Sequence, residues 1–399
     1  MALVAFPLLA LEFTHNSILI AGVAVAGRLP AVLVELPAGA LVDRHNRRRL
    51  IVAVELLRLA VLGGFAAAVW SGADGLAAIY VTVFALGALE SAYSSASTAS
   101  LPAMVPRRSL VRANSKLLTL NVGGQELVGQ ALGGLALSAA PALPFAADAA
   151  SFAASALLLR KSIPDTPPTT ARTSLGADLR EGLQWFFGSP LLRSLASLIA
   201  SMAFFQAAVL GILVLYGTED LHLSKTGYGL LLAVPSLGNI AGALSATPLD
   251  RRLGSGWTLI VTGSAAALAY PVLAWTSSSV VAAAALTLEA LCVVLGNVLT
   301  RSIRQAMVPM DLQGRVAGAY RIFILAAMPL GGLIGGFVAS QVGIRTTFLL
   351  AGLMQIMTLV LVGPRLLARL GKTSEEPEVF AAGSSGSGPD PSAPQQPAI

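Results

Sequence analysis

Twelve apolar runs dominate the 399-residue chain, near 1–14, 17–41, 50–71, 75–98, 117–140, 144–160, 191–217, 225–249, 257–276, 278–300, 315–341 and 344–364. All but the first are long enough to cross a bilayer core of about 30 Å as a helix. Few folds can accommodate them. In lipid every backbone N–H and C=O must be satisfied inside the segment, so apolar runs of this length cross as helices. Only 12% of residues are charged and the mean hydropathy is +0.75, against roughly 25% charged in an ordinary soluble domain. That composition in water leaves large apolar patches. A soluble enzyme is excluded, and the expected fold is an all-α membrane protein.

All but four of the 26 Lys and Arg lie in alternate loops or in the stretch after the last run, beginning with Arg44, Arg47, Arg48 and Arg49. The basic side of a membrane protein faces the cytoplasm, so the chain is expected in the cell membrane with its C-terminus inside. The four exceptions are Arg28 and Arg58, within runs, and Lys225 and Arg345, near turns on the other side. Residues 161–190 form the longest internal connection. There Leu175, Leu179, Leu183 and Phe186 share one helical face opposite Asp178, Arg180 and Glu181, which reads as a helix lying on the inner membrane surface. The organisation expected is a bundle over 1–160, a linker over 161–190 and a second bundle over 191–365. The Ser/Gly/Pro-rich tail over 366–399 cannot bury a core and is expected to be disordered.

The two halves repeat. Ala38-Gly39-Ala40-Leu41 returns as Ala241-Gly242-Ala243-Leu244, and Ala103-Met104-Val105-Pro106 returns as Ala306-Met307-Val308-Pro309. Gly129-x-x-x-Gly133-Gly134 returns as Gly331-x-x-x-Gly335-Gly336. Parallel repeats related by an axis along the membrane normal are a transporter architecture. The same offset maps the seventh run onto a segment that begins upstream of Met1, so the first helix is expected to be truncated, through a late start or a shortened copy. The glycines of the third repeat are expected to let helices approach closely.

Gly39-Ala-Leu-Val-Asp43-Arg44-His45-Asn46-Arg47-Arg48 resembles the signature between the second and third helices of the major facilitator superfamily. Its third Gly is replaced by Asn46, another residue that tolerates left-handed turns. Leu101–Pro106 with Ala113-Asn114, the Phe145–Phe152 stretch and Arg304–Val316 are similar to the macrolide-efflux and enterobactin-exporter branch. The resemblance implies two six-helix bundles related by a pseudo-two-fold axis along the membrane normal. It also implies a gating latch built from Gly39, Asp43, Arg44, Arg47 and Arg48. The implied activity is export of an amphipathic small molecule, antibiotic or siderophore-like, by a monomer exchanging it for protons. A different outcome is a non-transporting protein that retains the fold. The fifth run lacks the Gly-Pro usual in such exporters, and the fourth carries Glu90 instead of a membrane arginine.

Ionisable groups inside spans are costly and mark function. Glu90, Glu126 and Glu289 can carry a proton or attract a cation. Arg28 and Glu35 lie seven apart on one helical face and are candidates for substrate or gating contact, whereas Glu55 and Arg58 read as a local i, i+3 pair. Asp148 reads as a structural cap, and Phe204, Phe205 and Gln206 line a cavity or pack. Trp70, Trp185, Trp257 and Trp275 read as interface anchors. A single cysteine, Cys292, and scattered His15, His45 and His222 point to no disulfide and no metal site. No phosphate-binding glycine loop occurs. The partners expected are a small molecule, protons and the lipid bilayer, with no cofactor and no nucleic acid.

Overall fold

The computed structural model describes residues 1–44, 46–104, 116–117, 119–162, 175–309 and 312–375, without the side chains of 34–44, 98–99, 101–104, 161–162, 175–179 and 371–375. The N-terminal bundle comprises α1 (Ala2–Ala10), α2 (Ser17–Arg44), α3 (Arg47–Ser71), α4 (Leu76–Met104), α5 (π-helical over Asn121–Gly129, then α-helical over Gln130–Ala139) and α6 (Leu143–Ser162). After α7 (Leu175–Gly188) come α8 (Pro190–Leu215, ending in a π-turn over Tyr216–Asp220), α9 (Lys225–Leu253), α10 (Ser255–Trp275), α11 (Ser279–Met307), α12 (Gln313–Val342) and α13 (Ile344–Glu375). Among the described residues, nine helices are long and apolar enough to cross a bilayer.

Local chemistry sets the boundaries. Ser189 and Ser224 accept the Leu192 and Gly227 N–H groups at the starts of α8 and α9, satisfying donors that a first turn leaves free. Gly72 closes α3 at φ 71°, a left-handed conformation that suits glycine. Asn46 departs from expectation: it is extended (φ −63°, ψ 115°), and its side chain accepts the Arg49 N–H at 3.2 Å. It therefore caps α3 instead of making a left-handed turn.

Two sequence boundaries move. Helix α13 continues to Glu375, ten residues into the expected disordered tail, because Leu366 is fully buried and Arg369 donates to Ser194 Oγ at 2.5 Å. Helix α7 does not rest on lipid alone. Phe186 is buried and stacks on Phe323 with ring centroids 5.0 Å apart, Gly182 lies against the Arg315 backbone, and Glu181 pairs with Arg315 at 2.5 Å. Its apolar face thus docks on α12.

Packing repeats between the halves. Helix α2 packs on α4 as α9 packs on α11, α3 on α6 as α10 on α13, and α1 on α5 as α8 on α12. Across the two bundles, α2 meets α12 and α5 meets α9. This is the major facilitator fold, with the expected pseudo-two-fold axis.

The repeated glycines sit where backbones touch. A Cβ added at Gly331 or Gly335 would collide with the backbone of Phe204 or Ala208 on α8, and one at Gly336 would lie 2.8 Å from the Ser17 carbonyl oxygen on α2. In the other half, Gly133 abuts the Met1 backbone and Gly134 the Lys225 carbonyl and Gly229 of α9. Gly318, by contrast, would meet nothing within 4 Å. Gly335→Val should therefore destabilise the purified protein by about 1–3 kcal/mol through overpacking, while Gly318→Ala leaves thermal unfolding unchanged; equal effects at the two positions would contradict this packing.

Candidate functional site

The bundles meet unequally at their two ends. We term the end carrying Arg47–Arg49, Arg251 and Arg252 the basic face, and the end carrying residues 11–16, 216–224 and 276–278 the opposite face. Near the opposite face one buried apolar cluster runs through both bundles, joining Phe6, Ile20, Phe65 and Phe145 to Val209, Tyr216, Tyr270 and Phe348. Toward the basic face the core of the described residues divides. One cluster there belongs to the C-terminal bundle and α7, and a small separate one centres on Ile51 and Ala96.

At the opposite face polar contacts cross the seam. Lys225 Nζ lies 2.8 Å from Glu12 Oε1, His15 Nδ1 2.8 Å from Glu219 Oε1, and Ser138 Oγ 3.0 Å from Thr226 Oγ1. These ion pairs are solvent-exposed, so each contributes only about 0–1 kcal/mol. The apolar core and glycine contacts beneath them carry most of the closure.

Deeper in the seam, Asn239 on α9 donates to Glu126 Oε2 on α5 at 2.7 Å. Glu126 lies within the π-helical segment of α5. Such segments recur at functional sites, because the wider turn re-aims side chains. This distortion occurs in the run that lacks the Gly-Pro of related exporters.

At the α2–α12 seam, Arg28 Nη1 approaches Met328 Sδ at 3.8 Å. One turn toward the basic face, α2 and α12 separate around a cleft of about 300 Å³. The partner expected for Arg28, Glu35, lies outside the described side chains, as do Gly39, Asp43 and Arg44. Arg47 and Arg48 form the first turn of α3.

The other two membrane carboxylates are already engaged. Glu289 on α11 is buried, and its Oε1 accepts from Gln206 Nε2 on α8 at 2.9 Å and from the Tyr270 hydroxyl on α10 at 3.1 Å. All three belong to one bundle, so Gln206 supports a carboxyl group within the bundle. Glu90 on α4 pairs with Arg58 Nη2 at 2.7 Å, shorter than the expected Arg58–Glu55 contact at 3.8 Å. Tyr93 and Phe152 place their rings 4.7 Å and 5.4 Å from the Arg58 guanidinium. Arg58 and Glu55 are both buried. Asp148 accepts the Ala2 N–H at 2.8 Å, and Cys292 is buried among apolar residues.

Residues 1–379 match the family described as transmembrane secretion effector. The chain belongs to that family of the major facilitator superfamily. It is 28% identical over 375 residues to a protein named multidrug efflux pump Tap from Mycolicibacterium fortuitum, covering 89% of each chain. Identity is 26% to a protein named enterobactin exporter EntS from Citrobacter koseri, covering 92% of this chain and 87% of that protein. A bacterial homologue of the iron transporter ferroportin, solved in an inward-facing state, has the same fold. It aligns with a TM-score of 0.68 at 19% identity, over 90% of this chain and 94% of that one.

For this transmembrane secretion effector, residues missed by sequence reasoning lay in two places. Glu12, His15, Glu219 and Lys225 sit in or beside short turns, and the signal was Lys225, a cation on the side otherwise poor in them. Arg58 was read as serving Glu55 alone, although an arginine inside a span calls for a strong counter-charge. Arg58→Leu leaves two carboxylates without their cation and should destabilise the protein by about 3–5 kcal/mol. Adding Glu90→Gln should recover part of that loss in a thermal-unfolding assay; no recovery would mean that the two side chains act independently.

Proposed function

We propose that this protein is a secondary active exporter of an amphipathic small molecule, working by alternating access as a monomer in the cell membrane, with proton entry as the driving force. In this reading the basic face and the C-terminus lie in the cytoplasm, which the distribution of Lys and Arg supports. The observation that carries the reading is the core of the described residues, continuous across the bundles at one end and split at the other. A cavity that opens to one face and closes at the other is one half of an alternating-access cycle. The names of the relatives, a multidrug efflux pump and an enterobactin exporter, support export and a small-molecule cargo.

In this reading the present state opens to the cytoplasm. Rocking the bundles outward breaks the Glu12–Lys225 and His15–Glu219 pairs, which are weak enough to be remade in every cycle. The protein thus retains its closed end mainly through apolar contacts that a second packing can replace.

Glu126 is the coupling carboxyl. Its partner Asn239 stands on the other bundle, so rocking changes what Glu126 bonds to and hence how readily it holds a proton. Glu289 keeps both its donors within one bundle and supports the helices in either state. Protonation of Glu126 favours substrate release, and substrate binding displaces the proton.

Export is measured in inverted vesicles, using the compound that an overexpressing strain resists best. Glu126→Gln should reduce pH-driven export at least about tenfold, as expected when a proton-transfer group is removed, while substrate counterflow continues. Unchanged pH-driven export would remove Glu126 from the mechanism. A Glu12→Cys/Lys225→Cys pair should crosslink on oxidation and arrest export, with recovery on reduction; continued turnover of the crosslinked protein would contradict rocking at that face.

A further inference from the structure

The cleft between α2 and α12 takes no part in closing the opposite face or in the Glu126–Asn239 contact. Ala31 and Val32 on one side face Ala317, Ile322 and Leu325 on the other, and Arg321 also lines it. Its volume of about 300 Å³ lies at the small-molecule end of ligand pockets, which span about 300–1,000 Å³. Open space continues along α12, since a Cβ built at Gly314 or Gly318 meets nothing within 4 Å.

Arg28 stands one helical turn beyond Ala31 and Val32, and Met328 one turn beyond Leu325. The two residues touch at 3.8 Å, one turn beyond the residues that line the cleft. A thioether is a weak acceptor with no formal charge. Among the described residues, no carboxylate pairs with Arg28. The other out-of-place cations behave differently: Arg58 has Glu90, Lys225 has Glu12 and Arg345 has Asp220. A guanidinium midway along a spanning helix, next to a mostly apolar cleft and paired with no carboxylate among the described residues, is suited to an anion brought in by a ligand.

We propose that this cleft binds an amphipathic small molecule by its anionic group, with Arg28 as the counter-charge one turn beyond the lining residues and the apolar walls around the carbon body. The proposal deepens the export reading and rests on it for the ligand's being cargo. The substrate class it names is an organic acid with a compact apolar portion, such as a sulfonate or carboxylate. A bulk phospholipid is disfavoured as occupant, because the half-buried Arg28 stands in mid-span, away from the interface where headgroups lie.

Two dyes with the same aromatic body test this directly: 8-anilinonaphthalene-1-sulfonate, which is anionic, and N-phenyl-1-naphthylamine, which is uncharged. Binding is measured by fluorescence titration of the full chain in phosphatidylcholine nanodiscs. The wild type should prefer the sulfonate by roughly ten- to hundredfold, the fold-change of a hydrogen bond to a charged group. Arg28→Gln should abolish that preference and Arg28→Lys retain part of it. Gly318→Phe, placed where a side chain meets open space, should fold normally and weaken both dyes. Equal binding of the dyes to the wild type, or a preference that survives Arg28→Gln, overturns the proposal. So does displacement of the sulfonate by added phosphatidylglycerol, which would make a lipid the occupant. An Arg28-dependent preference without dye export in vesicles leaves the binding site standing and overturns the export reading. Export indifferent to Arg28→Gln does the reverse.

Discussion

Close approach of helix backbones through glycine is the contact on which the rest of this structure depends. Gly331 and Gly335 bring α12 against α8, and Gly332 and Gly336 bring it against Val25, Ser17 and Ala21 of α2. Gly134 and Gly229 do the same for α5 and α9. In a bilayer there is little hydrophobic drive between helices, so dispersion contacts over closely approached backbones supply the attraction. These contacts lie in the half of the molecule near the opposite face. Along the same helix α12, Gly314 and Gly318 have no neighbour within 4 Å of an added Cβ. Among the described residues the seam is therefore tight near the opposite face and looser along the start of α12, where the cleft lies.

The four Lys and Arg outside the topology-setting loops each have a separate structural explanation. Arg58 is buried between Glu90 and Glu55 within the N-terminal bundle, and Lys225 reaches Glu12 across the seam. Arg345 joins Asp220 at 2.7 Å and the Ala274 carbonyl at 3.3 Å, tying α13 to the end of α8 and to α10. Arg28 alone among them meets a thioether, one turn from the residues that line a cleft. Cations on the basic side also find partners, as Arg315 does with Glu181 and Arg369 with Ser194. Inside a membrane an unsatisfied cation is expensive, which makes the exceptions to a charge rule more informative than its followers.

The spans, the repeat and the superfamily were legible in the sequence because hydropathy and glycine spacing report directly on backbone environment. Gly129, Gly133 and Gly134 and their counterparts Gly331, Gly335 and Gly336 were readable as packing positions for the same reason. Side-chain partners were less so. A spanning helix is apolar nearly all round, so periodicity hardly reveals how it is rotated. Nothing in the spacing paired Glu289 with Gln206, 83 residues away, or Glu126 with Asn239, 113 away. The amphipathic segment was recognised, but its docking on α12 depended on Phe323 lying beside Phe186. Composition does not mark the end of α13, because Leu366 and Arg369 find partners only once that helix is packed.

In the proposed export cycle the two bundles move as units about a seam that, among the described residues, is closed near the opposite face. Paired spin labels on the purified protein in nanodiscs measure this most directly, one pair at Asp74 and Val280 on the opposite face and one at Arg49 and Arg251 on the basic face. As external pH or substrate is varied, the two distance distributions should change in opposite senses, one lengthening as the other shortens. Distances that stay fixed, or that lengthen and shorten together, would contradict the account.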